Sequence, residues 1–567
     1  MLRAGNKREA SVLVLVIISL VILMTLGLGL LTVSYGLRYQ SIAARNEIVA
    51  MLAAEAGYEQ AVFRMSQQPD MLNALNSEKF SNTGALFFDN SQCEYEITFH
   101  KFIGSRPIYR IQSKGICGLF SRVVDVYVVQ AISGWDMGMC RVPSSAASTE
   151  PVYYANGEII DIPVHINNLN DSPDQRDIYI KGIPSFLDVV EMGESRYTDG
   201  KDKYVTVKNL FNGGIYFDQP DNKVTDEASV AQKVERFGNS TKNEFKFNPQ
   251  ANASSLPNAQ PAVQIEFYVD GGVGKIRITD NCTVRCFKQS QDSQTWDYRV
   301  KPGTSGTQYE RYPIYAYHVI DEDADSIGER KIVNVDDTYV SQDFSGVKSE
   351  PGGQIFVEGN VIIGGDLSVH DGKQLLKGKM TVVATGNIWL ADSVMVDGTR
   401  DLDDMPIGSN PNVLGLVSQG VIRIVDPGMS EASEIGGQPN VPAGFVYAPI
   451  GITDNIYDSG SYHRHLPETV IIESALTIGG GGFGAENVSR SPYGDRKESS
   501  GNQDDLVLRG TISEVLRAVV GLVGKDGFIK KYYLDRRLLE GILPNDFWLS
   551  GKYVPAPAGW HDYRAQL

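Results

Sequence analysis

Residues Glu9 to Val33 read "EASVLVLVIISLVILMTLGLGLLTV", and from Ser11 to Val33 there are 23 residues without a charge. How this run continues decides where the other 534 residues reside. A secretory signal has an apolar region of roughly 7–15 residues and a small-residue cleavage site. The present run is longer, although Ser34-Tyr35-Gly36 is a weak cleavage signal just beyond it. At about 1.5 Å per residue it spans roughly 35 Å, enough to cross a bilayer. The short head carries Arg3, Lys7 and Arg8 against Glu9, a net +2. Positive flanks stay in the cytoplasm. The expected topology is a single pass through the inner membrane, with residues 1–10 cytoplasmic and the body periplasmic or on the cell surface.

No turn residue interrupts the chain until Gln67-Gln68-Pro69. The segment "YQSIAARNEIVAMLAAEAGYEQAVFRM" keeps helical spacing, with Ile42, Val49, Leu52, Ala56 and Phe63 at intervals of three, four or seven. Its Ala, Glu, Arg and Leu content favours helix. One helix over 11–66 is predicted, apolar in its first half and amphipathic in its second.

These residues carry a resemblance. "SVLVLVIISLVILMTLGLGLLTVS" followed by "AARNEIVAMLAAEAGYEQAVFRM" resembles the N-terminal region of PilX-type minor pilins, including the helix ending Ala53-Ala54-Glu55-Ala56. Ala10 stands where that family usually has the Gly of the prepilin peptidase site, and the nearest Gly is Gly5. The carboxylate that many major pilins carry early in the mature helix is replaced here by the region of Val14, Leu15 and Val16. The resemblance implies a minor component of a type IV pilus or a related secretion or surface filament. It also implies a membrane and other pilin-like subunits as partners.

The formal charge is −17, so the part beyond the +2 head carries −19. Phosphate binding needs a basic face, so no nucleic acid is expected as partner. The five cysteines are Cys93, Cys117, Cys140, Cys282 and Cys286. Export places them where disulfides persist, and the odd number leaves at least one without an intrachain mate.

Residues 93–130 alternate in three runs, Tyr95-Ile97-Phe99, Tyr109-Ile111 and Val124-Val126-Val128, with turn residues between. A three-stranded antiparallel meander is predicted inside a head domain over 67–130. Pairing the first two strands about Ser105 sets Phe99 opposite Ile111 and Cys93 opposite Cys117. Directly opposed residues have Cα atoms roughly 4.5–5.5 Å apart, within the reach of a disulfide. A Cys93–Cys117 bridge would stabilise the head by roughly 2–4 kcal/mol. The alternative is two buried free thiols.

A polar linker at 131–156 leads to a β-rich domain at 157–350, with a polar surface insertion at 228–262. From 352 a loose repeat emerges. "IFVEGNVII", "TVVATGNIWL", "GLVSQGVIRI", "VIIESALTI" and "LVLRGTI" each place a small residue (Gly359, Gly386, Gly420, Ser474, Gly510) between apolar runs. Short strands returning every 25–35 positions suggest a parallel β-solenoid over 351–567, in which each turn buries apolar side chains against the next. An irregular β-sandwich is the alternative. The stretch from 157 onward is similar to the body of uncharacterised bacterial PilX-like envelope proteins. There a Val-His-x-Asn strand, here Val164-His165-Ile166-Asn167, opens the body, and a basic-aromatic tail, here "GFIKKYYLDRRLLEGILPNDFW", closes it. The expected fold class is mainly β, with one long N-terminal transmembrane and amphipathic α-helix, a pilin-like head and a parallel β-solenoid.

Candidate chemistry is sparse. "GGGGFG", Gly479 to Gly484, fits G-x-G-x-x-G, but Pro492 and Gly494 follow where a phosphate-binding helix should start. Neither Gly274-Lys275 nor Gly524-Lys525 is followed by Ser or Thr. Asp321, Asp323 and Asp325 begin like a calcium loop, yet Ser326 and Ile332 stand at its sixth and twelfth positions. His463 and His465 lack further ligands nearby, and Cys282 and Cys286 lack a second pair with zinc spacing. No cofactor, metal site or catalytic residue is assigned, and no enzyme is expected. The competing reading is a membrane-anchored carbohydrate-active β-helix enzyme or an adhesin, with a surface polysaccharide as partner. Asp401, Asp403 and Asp404 would be its candidate carboxylates. An enzyme of that kind should show a groove with convergent carboxylates and aromatics.

Overall fold

In a computed structural model of the chain, residues 6–564 are described except for 69–70, 104–105, 132–133, 140, 146–147, 152, 168–177, 194–209, 218, 220–226, 250–258, 286–295, 301–308, 314–318, 321–329, 342, 345, 365–372, 426–468, 486–503, 522–526 and 546–551. One helix, α1, runs unbroken from Asn6 to Ser66. Residues 11–42 are exposed throughout, their large apolar side chains included. This helix is long and apolar enough to cross a membrane.

The second half of α1 packs on an antiparallel sheet. Its strands are β1 (Thr83–Phe87), β2 (Gln92–Ile103), β3 (Arg106–Cys117) and β4 (Phe120–Gln130), paired in chain order. A fifth strand, Tyr553–Arg564, comes from the C-terminus and pairs antiparallel with β4. The predicted meander is therefore larger by a strand at each edge. Helix and sheet approach closely because small residues meet: a side-chain carbon on Gly115 would lie 2.0 Å from the Ala50 carbonyl oxygen, and one on Gly57 2.3 Å from Ser113 Oγ. The Ala-rich sequence around 50–61 follows from that proximity, since a larger side chain there would hold the layers apart.

A short helix, Met71–Leu75, precedes β1, and residues 131–552 are inserted between β4 and the C-terminal strand. It is organised by three ladders of parallel strands. In the first, ten strands stack in the order Lys246–Phe247, Gly352–Val357, Lys379–Ala384, Val413–Ser418, Ala475–Ile478, the end of Asp504–Leu516, Trp135–Met139, Val164–Ile166, Val190–Met192 and Ile215–Tyr216. At roughly 4.8 Å per strand this ladder is about 43 Å long. The second ladder joins Ala262–Ile265, Asn360–Ile363, Ile388–Leu390, Ile422–Ile424 and Phe483–Ala485. The third joins Lys373–Leu376, Ser393–Val396, Val470–Ile472, the first part of Asp504–Leu516, Phe528–Leu534, Ile159–Asp161 and Ser185–Phe186. One hydrophobic core runs between them, from Val357 and Val382 through Leu476 and Leu508 to Trp135 and Phe186.

The order of stacking departs from the order of the chain. Residues 135–216 start mid-stack and run to one end. The chain then returns to the opposite end and runs forward again over 352–516, until Ile512 pairs with Trp135. The expected boundary between 350 and 351 thus falls inside a continuous ladder, and the expected linker contributes a core strand, Trp135–Met139. The basic-aromatic tail closes nothing: Phe528–Leu534 lies mid-stack, between Asp504–Gly510 and Ile159–Asp161.

The return is made by a helix, Glu227–Ser240, where the sequence suggests a polar surface insertion. Val230, Val234 and Phe237, at i, i+4 and i+7, are buried against Phe356, Val383, Val417 and Ala475. Val230 lies against Gly479 and Gly238 against Phe356, so the helix crosses successive strands from the middle of the stack to its start. At its end Ser240 and Thr241 hydroxyls donate to Gln354 Oε1, at 3.1 and 3.3 Å.

The small residues of the repeat occupy two different corners. Gly386 N donates to Gly359 O, Gly420 N to Gly386 O and Gly480 N to Gly420 O, at 2.8, 3.0 and 3.1 Å, forming one column. Ser474 and Gly510 form another, where the strand 504–516 turns from the third ladder to the first. A side-chain carbon on Gly510 would lie 1.9 Å from the Ser474 carbonyl oxygen.

Candidate functional site

The most extended candidate surface is α1 itself. Its buried face is Ala50, Ala53, Ala54, Tyr58, Ala61 and Met65, set against Tyr95, Ile97, Tyr109, Ile111 and the valines of β4. The larger apolar residues of the sequence pattern point the other way. Ile42, Leu52 and Phe63 are 48%, 56% and 58% exposed, and Ile48 joins them at 61%. The helical spacing located the amphipathic helix, and its large apolar residues lie away from the sheet because close packing there selects small residues.

The C-terminal strand fastens this helix to the head. Arg564 Nε and Nη2 donate to the two carboxylate oxygens of Glu47, at 2.7 and 2.9 Å. Arg122 on β4 donates to Glu47 as well, at 3.1 Å, and pairs with Asp562. Trp560 meets Tyr58 edge-on with centroids 5.0 Å apart, and Tyr553 meets Tyr109 at 5.8 Å. Arg110 binds Asp125 through two parallel hydrogen bonds, of 2.8 and 2.5 Å. The C-terminal strand of this clasp did not stand out in the sequence, because Pro555, Pro557 and Gly559 argue against a strand. The sheet accommodates them by an irregularity between Pro555 and Trp560, with Ala558 at φ 56°.

Cys93 and Cys117 are both buried free thiols in the head. The register differs from the expected one: Cys93 faces Gly115, and Ile97 rather than Phe99 faces Ile111. Half of the displacement is already present beside the turn, where Ile103 pairs with Arg106, and an irregularity between Phe99 and Lys101 adds the other half. Cys117 is then a diagonal neighbour of Cys93, at a separation where Cα atoms are roughly 7–8 Å apart, beyond ordinary disulfide reach. Burial raises the Cys93 thiol pKa further. Cys140 and Cys286 lie outside the described residues, as do Asp321, Asp323, Asp325, His463, His465 and Gly524-Lys525.

The "GGGGFG" segment is a tight passage. Gly480 belongs to the glycine column, and a side-chain carbon on Gly482 would lie 1.8 Å from the Leu516 carbonyl oxygen. Phe483 N–H donates to Glu514 Oε2 at 2.7 Å. Its glycines are there for packing, and Phe483–Ala485 continues as a core strand.

The interior holds a charged layer where residues 135–161 meet 504–534. Glu514 Oε1 accepts from the Trp135 indole N–H at 2.8 Å. Arg517 lies over the Tyr154 ring, 3.6 Å from its centroid, and Lys530 pairs with Glu158. Burial raises Glu514 to about 7 and lowers Arg423 to about 10. Beside Lys552, burial raises Asp136 to about 6, while hydrogen bonds from His165 and then Lys552 lower Glu191 to about 2.

The three aspartates of the 397–410 insertion separate into different roles. Asp401 Oδ1 accepts from the N–H groups of Asp403 and Met405, at 2.9 and 2.8 Å, closing a local turn. Asp404, at φ 59°, pairs with Arg509 at 3.0 Å. Asp401 and Asp403 both line a cavity together with Asp161, Asp505 and Tyr533, which sequence distance had concealed. The insertion is anchored by Glu473, 3% exposed, which accepts from Arg400 Nη1 and Nη2 at 2.7 Å each and from Arg509 at 2.8 Å. Among the described residues, no group of three or more His, Cys, Asp or Glu side chains is placed to hold a metal ion.

No family model and no curated protein matches the chain. Among solved structures it is similar to the competence-associated pilin ComZ from Thermus thermophilus, at 11% identity over 92% of this chain and 98% of that one, with a TM-score of 0.31. An overlap that loose carries no argument about fold or function.

Proposed function

We propose that the chain is a membrane-anchored, non-enzymatic, pilin-like subunit: a minor component of a type IV pilus or a related secretion or surface filament, of the PilX kind. In this reading α1 crosses the inner membrane with its N-terminus in the cytoplasm, and the parallel ladders form a β-solenoid carried outside. The observation that supports it best is the division of α1. An apolar, fully exposed first half passes without interruption into a second half held to a sheet by small residues, which leaves Ile48, Leu52 and Phe63 outward. Exposed large apolar side chains of this extent mark a surface that another hydrophobic phase covers. The bilayer serves the first half before assembly. Neighbouring pilin-like helices serve both halves after it.

Mass spectrometry of the mature protein, with zero-length crosslinking of sheared surface filaments, tests this. The expected result is a mature chain that retains Ser11–Val33, crosslinked through the outward face of α1 to another pilin-like subunit. A mature chain beginning near Leu37 would overturn the reading.

A further inference from the structure

The outer face of the third ladder is the floor of a groove of about 760 Å³. Arg509, Tyr533 and Asp161 lie side by side on adjacent strands, and Val507, Lys531 and Ile159 form the next row. The 397–410 insertion makes one wall, with Asp403 and Ile407, and Arg536 and Glu540 line the groove beyond the strand end.

We propose that this groove binds a neutral, hydroxyl-rich chain, a glycan. The proposal goes beyond the assembly role and does not depend on it. Three observations carry it. The carboxylates of Asp161, Asp403 and Asp505 accept no hydrogen bond or ion pair among the described residues, so each offers open acceptor sites. All three act on the Tyr533 phenol, whose pKa is raised by burial first and then by Asp161, Asp505 and Asp403 in turn. The floor also holds Arg509, which is only 8% exposed and has an Nε without a partner. A buried, incompletely satisfied donor beside open acceptors is the polar half of a ligand site.

The balance of charge selects the ligand. The guanidinium groups of Arg509 and Arg537 are already ion-paired, to Asp404 with Glu473 and to Asp535. An anionic polymer would meet the open carboxylates of Asp161, Asp403, Asp505 and Glu540, and that of Asp401 beside them. A cationic one would lay its charge against Lys531, in the row next to Tyr533, and against Arg536. A chain of hydroxyls uses both signs, since each hydroxyl donates and accepts. The apolar surfaces of Ile159 and Val507, on either side of Lys531, and the Tyr533 ring suit the C–H faces of sugar rings. The volume lies within the range of small-molecule sites.

The full-length protein in lipid nanodiscs, free of glycoside detergent, is titrated calorimetrically with cellohexaose, maltohexaose and chitohexaose. Hexagalacturonate and hexalysine serve as charged controls. At least one neutral hexamer should bind with a dissociation constant below about 1 mM, a free energy near −4 kcal/mol. Tyr533→Ala and Asp505→Ala should each weaken it about tenfold, whereas Tyr533→Phe, which keeps the ring, should retain most of the affinity. Asp343→Ala, on a separate hairpin, should leave it unchanged. Unchanged thermal unfolding of each variant separates lost binding from lost folding, and Tyr533→Phe reports even where the alanine variant fails to fold. Binding by none of the neutral hexamers overturns the proposal. So does preference for hexalysine or hexagalacturonate, or neutral binding that ignores the Tyr533 and Asp505 changes.

Discussion

Glu514 shows how a single buried carboxylate couples the body to pH. Both of its oxygens accept an N–H, from Trp135 and Phe483, yet burial outweighs those bonds and raises its pKa from 4.5 to about 7. The unfolded chain therefore releases this proton near pH 4.5 and the folded one near pH 7. The folded state binds more protons across that window, so stability falls as pH rises through it. Glu514 alone should cost about 2–3 kcal/mol between pH 5 and pH 8. Asp136, raised from 3.8 to about 6, acts in the same direction. Glu191, lowered to about 2, contributes stability that is lost only in stronger acid. Denaturant unfolding at pH 5 and pH 8 should show wild type losing stability toward pH 8 and Glu514→Gln losing less, by about the stated amount. An identical loss in both proteins would mean that Arg423 and Arg517 keep the carboxylate ionised throughout.

Among elements, legibility followed locality. The helix α1 could be read because 23 uncharged residues and an unbroken helical pattern sit in one stretch. The corner glycines could be read because each lies between apolar runs. Their division into two columns could not, since both corners present the same local pattern of strand, small residue, strand. The cysteine register failed for a related reason: a turn that pairs Ile103 with Arg106 and an irregularity after Phe99 each move the pairs by one, and nothing in the residues there announces either. The groove was half legible. Asp403 stood out, while Tyr533, Asp505 and Asp161 reach it only through parallel pairing of distant strands. The crossing helix Glu227–Ser240 was hidden by its composition, because Ser, Asn and Gln around it suggest a loop and only Val230, Val234 and Phe237 keep the period. Those three residues define its task, which is to cover the outer side of the first ladder. Phe237→Ala should cost about 3–5 kcal/mol, the range for removing a buried aromatic ring. Glu235→Ala, outside the buried cluster, should stay within about 0.5 kcal/mol. Paired thermal and denaturant unfolding measures both. Equal small effects would show that the helix does not hold the stack.

At the scale of the molecule, the body is an insertion into the sheet of the head. The chain leaves β4 at Gln130 and returns at Tyr553, and these two residues are paired across the sheet. Ala131 N–H donates to the Lys552 carbonyl at 2.7 Å, so the two connections run side by side. Among the described residues, contacts between the two parts outside that neck include Arg106 with the Leu539 carbonyl. The head has a core of its own, closed by Trp560 and Tyr553 from the returning strand. It follows that the body can be cut out. Joining Gln130 to Tyr553 through Asn-Gly would turn β4 and the C-terminal strand into a hairpin with a two-residue loop, the connection such a pair favours. A chain of residues 40–130, Asn-Gly and 553–564 should fold alone, with helix and antiparallel sheet and cooperative thermal unfolding. The same chain without 553–564 should be markedly less stable, having lost the Glu47–Arg564 pair and the Trp560 contact. Circular dichroism and unfolding of the two chains decide the matter. If the hairpin form is unfolded, the head depends on the body, and the body is then part of the molecule's framework rather than cargo mounted on it.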